Sequence, residues 1–172
     1  MSMLERLFAI EQELPRLIRE RDQWQSLFVN YHEPFVERLW RNVGDARVYL
    51  HRIHPCAPGE ALLHPHPWPS AMRILSGTYE MGVGYGEGMQ APPLATTLLL
   101  PTGTAYEMVE PHGWHYVRPL GVPSLSLMVT GKPWNRTAPT STQPLGRLTP
   151  AIQEELFAHF LRLYCPKGDA LY

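Results

Sequence analysis

Eighteen prolines and thirteen glycines punctuate this 172-residue chain, and that density excludes the long uninterrupted helices a bundle needs. Between Arg47 and Thr130 the runs separated by these breaks are rich in Val, Ile, Leu, Thr and Tyr. Such runs read as strands. The pattern predicts eight of them, at 47–53, 60–66, 71–76, 78–84, 95–100, 104–109, 114–118 and 124–130. Short strands with tight turns close as an antiparallel barrel or sandwich. Ser76-Gly77-Thr78 is the clearest hairpin, because glycine supplies the positive φ that a tight turn requires.

The flanks read differently. Leu4, Leu7, Phe8, Leu14, Leu17 and Ile18 recur at helical spacing with charged residues on the other face, and Trp24, Leu27, Phe28, Tyr31, Phe35, Val36, Leu39 and Trp40 continue the period. This predicts two or three amphipathic helices over 3–41, broken near Pro15 and Pro34. Their apolar face either covers one side of the barrel or makes a homodimer contact. Residues 132–149 are rich in Pro, Thr and Ser, have no period, and are expected to form an extended surface segment. Thr149-Pro150 then supplies the cap and first position of a C-terminal helix over 150–165, with Ile152, Leu156, Phe157, Phe160 and Leu161 as its apolar stripe. The expected organisation is one domain over 1–172: an N-terminal helical region at 1–45, a barrel at 46–131, the extended segment and the final helix. The length suits one hydrophobic core.

Composition removes several function classes. Net charge is −1 and Lys and Arg are scattered, so no basic stripe marks a nucleic-acid partner. No apolar run approaches the ~20 residues of a membrane-spanning helix. Acidic residues inside the first apolar stretch argue against a signal peptide. A cytoplasmic protein acting on a small molecule is the expectation, with Cys56 and Cys165, far apart and in no CxxC pair, as reduced thiols.

Six of the eight histidines fall between residues 51 and 115. His64 and His66 are two apart, so on a strand both imidazoles face the same side and can grip one metal ion in cis. Pro65, Pro67 and Pro69 occupy the opposite parity and lack an N–H, so one side of this segment cannot be fully paired. It is expected at a barrel mouth or sheet edge, where a ligand can reach the histidines. Tyr49 and His51 share parity and either line the same pocket or, with His54, face solvent. Trp68 shares the parity of His64 and His66 and would wall the site. Met72 and Ile74 read as core, and Arg52, Arg73 and Arg118 as surface residues.

At these residues the chain resembles the cupin family. Gly59, His64-Pro65-His66, Ser70 and Gly77 follow the frame of the first cupin motif, with Ser70 or Ala71 where the family has a glutamate ligand. Pro101-Thr102-Gly103-Thr104-Ala105 fits the second motif, with Tyr106 in the ligand place. The stretch from Gly113 to Pro133 is similar to the thiol dioxygenases, cupins related to cysteine dioxygenase, in which a Gly-x-His opens the second-last strand. That register implies His115 as third ligand; His112 and Tyr106 are the alternatives. Those enzymes lack the glutamate and bind Fe(II) through three histidines. The resemblance covers residues 47–131 and implies an all-β, antiparallel, jelly-roll-type cupin barrel with N-terminal helices and a C-terminal helix. It implies one divalent metal, Fe(II) foremost with Zn, Mn or Ni as alternatives, and a mononuclear non-haem dioxygenase-like activity on a small organic molecule, thiols included. Tyr106 and Tyr79 are the candidate catalytic phenols. A non-catalytic ligand-binding cupin, or a Zn, Mn or Ni isomerase or lyase, is the competing function. The outer Ser-x-His of the thiol dioxygenases is here Ser124-Leu125-Ser126, which alters the proton network.

Strand parity places His115 and Val117 inward and Trp114, Tyr116 and Arg118 outward, with Leu125, Leu127 and Val129 as the neighbouring inward row. If both thiols are reduced, a reducing agent leaves the melting temperature unchanged; a marked drop would reveal a stabilising disulfide.

Overall fold

Ser2 opens the first helix, α1 (Met3–Leu17), with a capping box: its hydroxyl accepts from the Glu5 amide, and the Glu5 carboxylate accepts from the Ser2 amide. The structure, a computed structural model, describes residues 1–164; Cys165, the last residue of the expected C-terminal helix, lies outside that range. Pro15 lies inside the last turn, where its missing N–H forgoes one ladder bond, and the Ile18 amide still donates to the Leu14 carbonyl at 2.9 Å as the helix ends.

Beyond Leu17 the expected further helices are replaced by strands. A single 3₁₀ turn at Arg21–Gln23 leads into β1 (Gln25–Val29) and β2 (Val36–Val43), so helix ends far short of residue 45. The reason lies in burial on both faces. Leu27 packs on one core and Phe28 on another, which erases the polar alternation of a half-buried strand and leaves a spacing that imitates a helix.

From there the chain alternates short strands: β3 (Ala46–Ile53), β4 (His64–Pro65), β5 (Ser70–Ser76), β6 (Thr78–Tyr85), β7 (Leu94–Pro101), β8 (Ala105–Met108), β9 (Gly113–Pro119) and β10 (Ser124–Thr130). Their order is β1-β2-β3-β10-β5-β8 in one sheet and β4-β9-β6-β7 in the other, with every strand pair antiparallel. The final helix, α2 (Pro150–Tyr164), starts where predicted, with the Thr149 hydroxyl accepting from the Ile152 amide at 3.4 Å. The fold is a cupin-like antiparallel β-sandwich with a small helix at each end. No helix among the described residues is long and apolar enough to cross a membrane.

Two cores sandwich the six-stranded sheet. On its outer face, Leu7, Leu14 and Leu17 of α1 and Phe157 and Phe160 of α2 cover Leu50 and Leu127, all within 2 % of complete burial. Each such side chain contributes about 1.5–3 kcal/mol through its removal from water. Between the sheets, Tyr49, Met72, Ile74, Tyr79 and Val117 form the second core. The inward row of β10 is therefore Ser124, Ser126 and Met128, whereas Leu125, Leu127 and Val129 face the helices, opposite to expectation. Parity alone cannot orient a strand buried on both sides.

Ser76-Gly77-Thr78 is also a different device from the expected hairpin. β5 and β6 belong to different sheets, so Gly77 carries the chain around a corner. Its φ is +85°, and an added Cβ would lie 3.1 Å from the Ser124 Cα. Gly77→Ala is therefore expected to destabilise the fold by about 1–3 kcal/mol, read as a lower denaturation midpoint at unchanged m-value.

Candidate metal centre

The proline-rich segment meets β9 at the edge of the four-stranded sheet, where His64 sits directly opposite His115. With three prolines in five residues, only two residues pair as a strand, far fewer than the predicted 60–66. The carbonyls on the unpaired side are used instead by the later chain. Trp134 donates its amide to the Pro67 carbonyl at 2.7 Å, and Gly131 donates to Pro69 at 2.9 Å.

His64, His66 and His115 converge between the sheets. Ring centroids are 5.5 Å apart for His64 and His66, 4.9 Å for His64 and His115, and 4.2 Å for His66 and His115. One ring nitrogen from each lies within 4.8 Å of the other two. Nδ1 of His64 donates to the Leu62 carbonyl at 2.9 Å, which leaves the lone pair on Nε2. Nδ1 of His66 pairs with the Ser70 hydroxyl at 3.0 Å. Ser70, standing where the resembling family has a carboxylate ligand, thus orients a histidine. His115 Nδ1 is buried without a hydrogen-bond partner. Burial lowers the pKa of His64 to about 4 and of His66 to about 3, and holds His115 well below the usual range. All three rings are neutral near pH 7, the state in which imidazole ligates Fe, Zn or Ni. The donor set and the orphaned nitrogen fit one divalent ion.

The alternatives for third ligand lie elsewhere. His112 is in an exposed turn, its amide on the Glu110 carboxylate. Tyr106 shares a 2.8 Å hydrogen bond with Tyr79, and the two hydroxyls lie 3.2 and 3.1 Å from Met72 Sδ, so whichever proton the pair does not use points to the sulfur. Neither phenol lines the cavity; Met72 does. The two tyrosines expected to act catalytically are a core pair behind the cavity wall, and burial raises the pKa of each.

The cavity holds about 200 Å³ and is walled by apolar residues of both sheets, among them Val36, Ile53, Val117 and Met128. Trp68 and His51 line it, as parity allowed, and Arg38 on β2 joins them. Arg38 was invisible in the sequence because its stretch read as helix. Its Nε donates to His51 Nε2 at 3.0 Å, its guanidinium lies 4.9 Å from the Tyr49 ring, and among the described residues no carboxylate pairs with it. Arg52, Arg73 and Arg118 are instead tied to Glu37 and Glu155, to Glu11, and to Glu80, away from the cavity. Residues 131–149 have no regular secondary structure, yet they form a strap rather than a mere surface segment. Ala138, Pro139 and Leu145 complete the cavity wall, and the Pro139 carbonyl accepts from Tyr31 at 3.2 Å.

The sandwich and this cluster together define a cupin-like β-protein with a three-histidine site able to hold a divalent metal. No protein-family model matches the chain, and no curated protein matches it in sequence. Among solved structures it is similar to Fe(II) HppE, with 19 % identity over 63 % of this chain and 56 % of that one, at a TM-score of 0.49. It is similar to hydroxypropylphosphonic acid epoxidase from S. wedmorenis, with 22 % identity over 64 % and 56 % and a TM-score of 0.47. KdgF from Halomonas sp. aligns with 14 % identity over 60 % of this chain and 84 % of that one, at a TM-score of 0.45. The match spans little more than half the length of the first two.

Neutral burial of these rings ties stability to pH. Their folded pKa values lie below the unfolded value of about 6.5, so the unfolded chain binds more protons as pH falls. Metal-stripped protein is expected to hold its full stability above pH 6.5 and to lose it progressively down to about pH 4 for His64 and about pH 3 for His66. Urea midpoints that stay flat across this interval would contradict the buried neutral state.

Proposed function

We propose that His64, His66 and His115 hold one divalent metal ion, Fe(II) foremost, and that the chain is a metal-dependent enzyme of the mononuclear non-haem dioxygenase type. The observation that carries this reading is the convergence of three neutral imidazoles, His66 and His115 buried and His64 partly so, on one cavity. When bound, the ion would supply a redox-active Lewis acid with open coordination positions. The protein supplies the rest. Leu62 and Ser70 orient two of the rings. The apolar walls exclude water and strengthen every electrostatic interaction inside. Arg38, with no carboxylate partner among the described residues, presents a charge that selects a small organic anion; a thiol bearing a carboxylate is one such molecule. The core pair Tyr79 and Tyr106 takes no part in proton transfer.

Metal content of protein purified without added metal tests the site. His115→Ala and His64→Ala are each expected to lower it by about 10–100-fold or more, while His112→Ala retains most of it. The reverse order would move the third ligand to the turn. Iron with O₂ uptake on small thiols or carboxylates supports the dioxygenase reading; zinc without O₂ uptake overturns it.

A further inference from the structure

His51 faces the same cavity from β3 and stands apart from the three-histidine cluster in its hydrogen bonding. Its Nε2 takes the hydrogen bond from Arg38 Nε. An arginine Nε–H can only donate, so Nε2 must carry the lone pair and the neutral ring keeps its proton on Nδ1. Burial, and after it the Arg38 charge, keeps the ring neutral. Nδ1 has no partner among the described residues, and it is not sealed into the core as His115 Nδ1 is. Tyr49 stacks on the ring at a centroid distance of 5.6 Å and also lies under the guanidinium. Imidazole, guanidinium and phenol form one packed unit with a fixed charge and a fixed proton, and on the imidazole one donor, Nδ1–H, is left over.

We propose that His51 is a substrate-orienting residue, which locks the Arg38 guanidinium through Nε2 and offers its Nδ1–H to an acceptor atom of a small aliphatic carboxylate held by the terminal nitrogens of Arg38. This rests on reading the cavity as a substrate site. A packing role for His51 would need only the shape of the ring, which phenylalanine keeps. Fixing Arg38 needs an acceptor, and contacting the substrate needs a donor; phenylalanine has neither, while the glutamine amide has both.

The test uses the full-length chain stripped of metal, so that butyrate meets the protein alone. Long-range ¹H–¹⁵N NMR is expected to find His51 in the Nδ1–H form, and Arg38→Met to release it to the Nε2–H form or a mixture. Butyrate is expected to bind the wild type saturably. His51→Phe weakens that binding by about tenfold or more, the loss of a hydrogen bond involving a charged group, and His51→Gln recovers most of it. A wild-type Nε2–H ring, no butyrate binding by the wild type, or His51→Phe binding as tightly as wild type would each overturn the proposal. Zinc uptake by the same preparations is measured separately. Failure of the wild type to take up zinc counts against the metal-centre reading and leaves the tautomer and butyrate results to decide the role of His51.

Discussion

Three prolines in one short segment can accept backbone hydrogen bonds but cannot donate them, and the site follows from that asymmetry. The segment cannot become a central strand, so it lies at the edge of the smaller sheet. It pairs with β9 over just two residues, and that register sets His64 against His115. The carbonyls of Pro67 and Pro69 need donors, and the amides of Trp134 and Gly131 provide them. One deficiency in donors therefore positions the metal-site histidines and anchors the strap that walls the cavity beside them.

The cavity is built on a contrast in charge. Three imidazoles are kept neutral by burial, while one guanidinium remains in the same apolar space with no carboxylate partner among the described residues. The other strand arginines considered in the sequence are bound to glutamates elsewhere. A partly buried cation with no carboxylate partner among the described residues is costly unless something anionic joins it. The apolar walls sharpen that requirement, because they offer no competing hydrogen bonds. Charge and shape thus narrow the ligand from the same side of the cavity.

Much of this was legible in the residues. The His64-Pro65-His66 spacing puts two rings on one face, and the parity of β9 turns His115 inward, because each argument needs only the period-two geometry of a strand. On β10 parity gives the wrong face for the opposite reason: its leucines meet helices and its serines meet the interior, so polarity no longer distinguishes inside from outside. The region from Trp24 to Trp40 failed in the same way, and with it went Arg38, a residue no local pattern singles out. Its importance comes from what surrounds it, namely His51 across the strand pair and no pairing acid among the described residues. The Tyr79–Tyr106 pair illustrates a limit of another kind. Sequence places both phenols in the barrel, and only the depth of Met72 separates a catalytic position from a structural one.

The strap lies outside both sheets, yet it forms part of the wall that a bound molecule would touch. Its ties to the sandwich are backbone bonds at Gly131, Trp134 and Gly146 and the Arg136 guanidinium on the carbonyls of Gly86, Pro111 and Gly113, none of which involves the side chains from Thr137 to Pro139. Positions such as Ala138 and Pro139 can therefore vary with little consequence for the sheets, whereas Leu145 also packs on the core between them. Natural variation there would redraw the pocket's outline while the histidines stayed in place, so that chains sharing this scaffold could diverge in the molecules they accept by drift in one irregular loop.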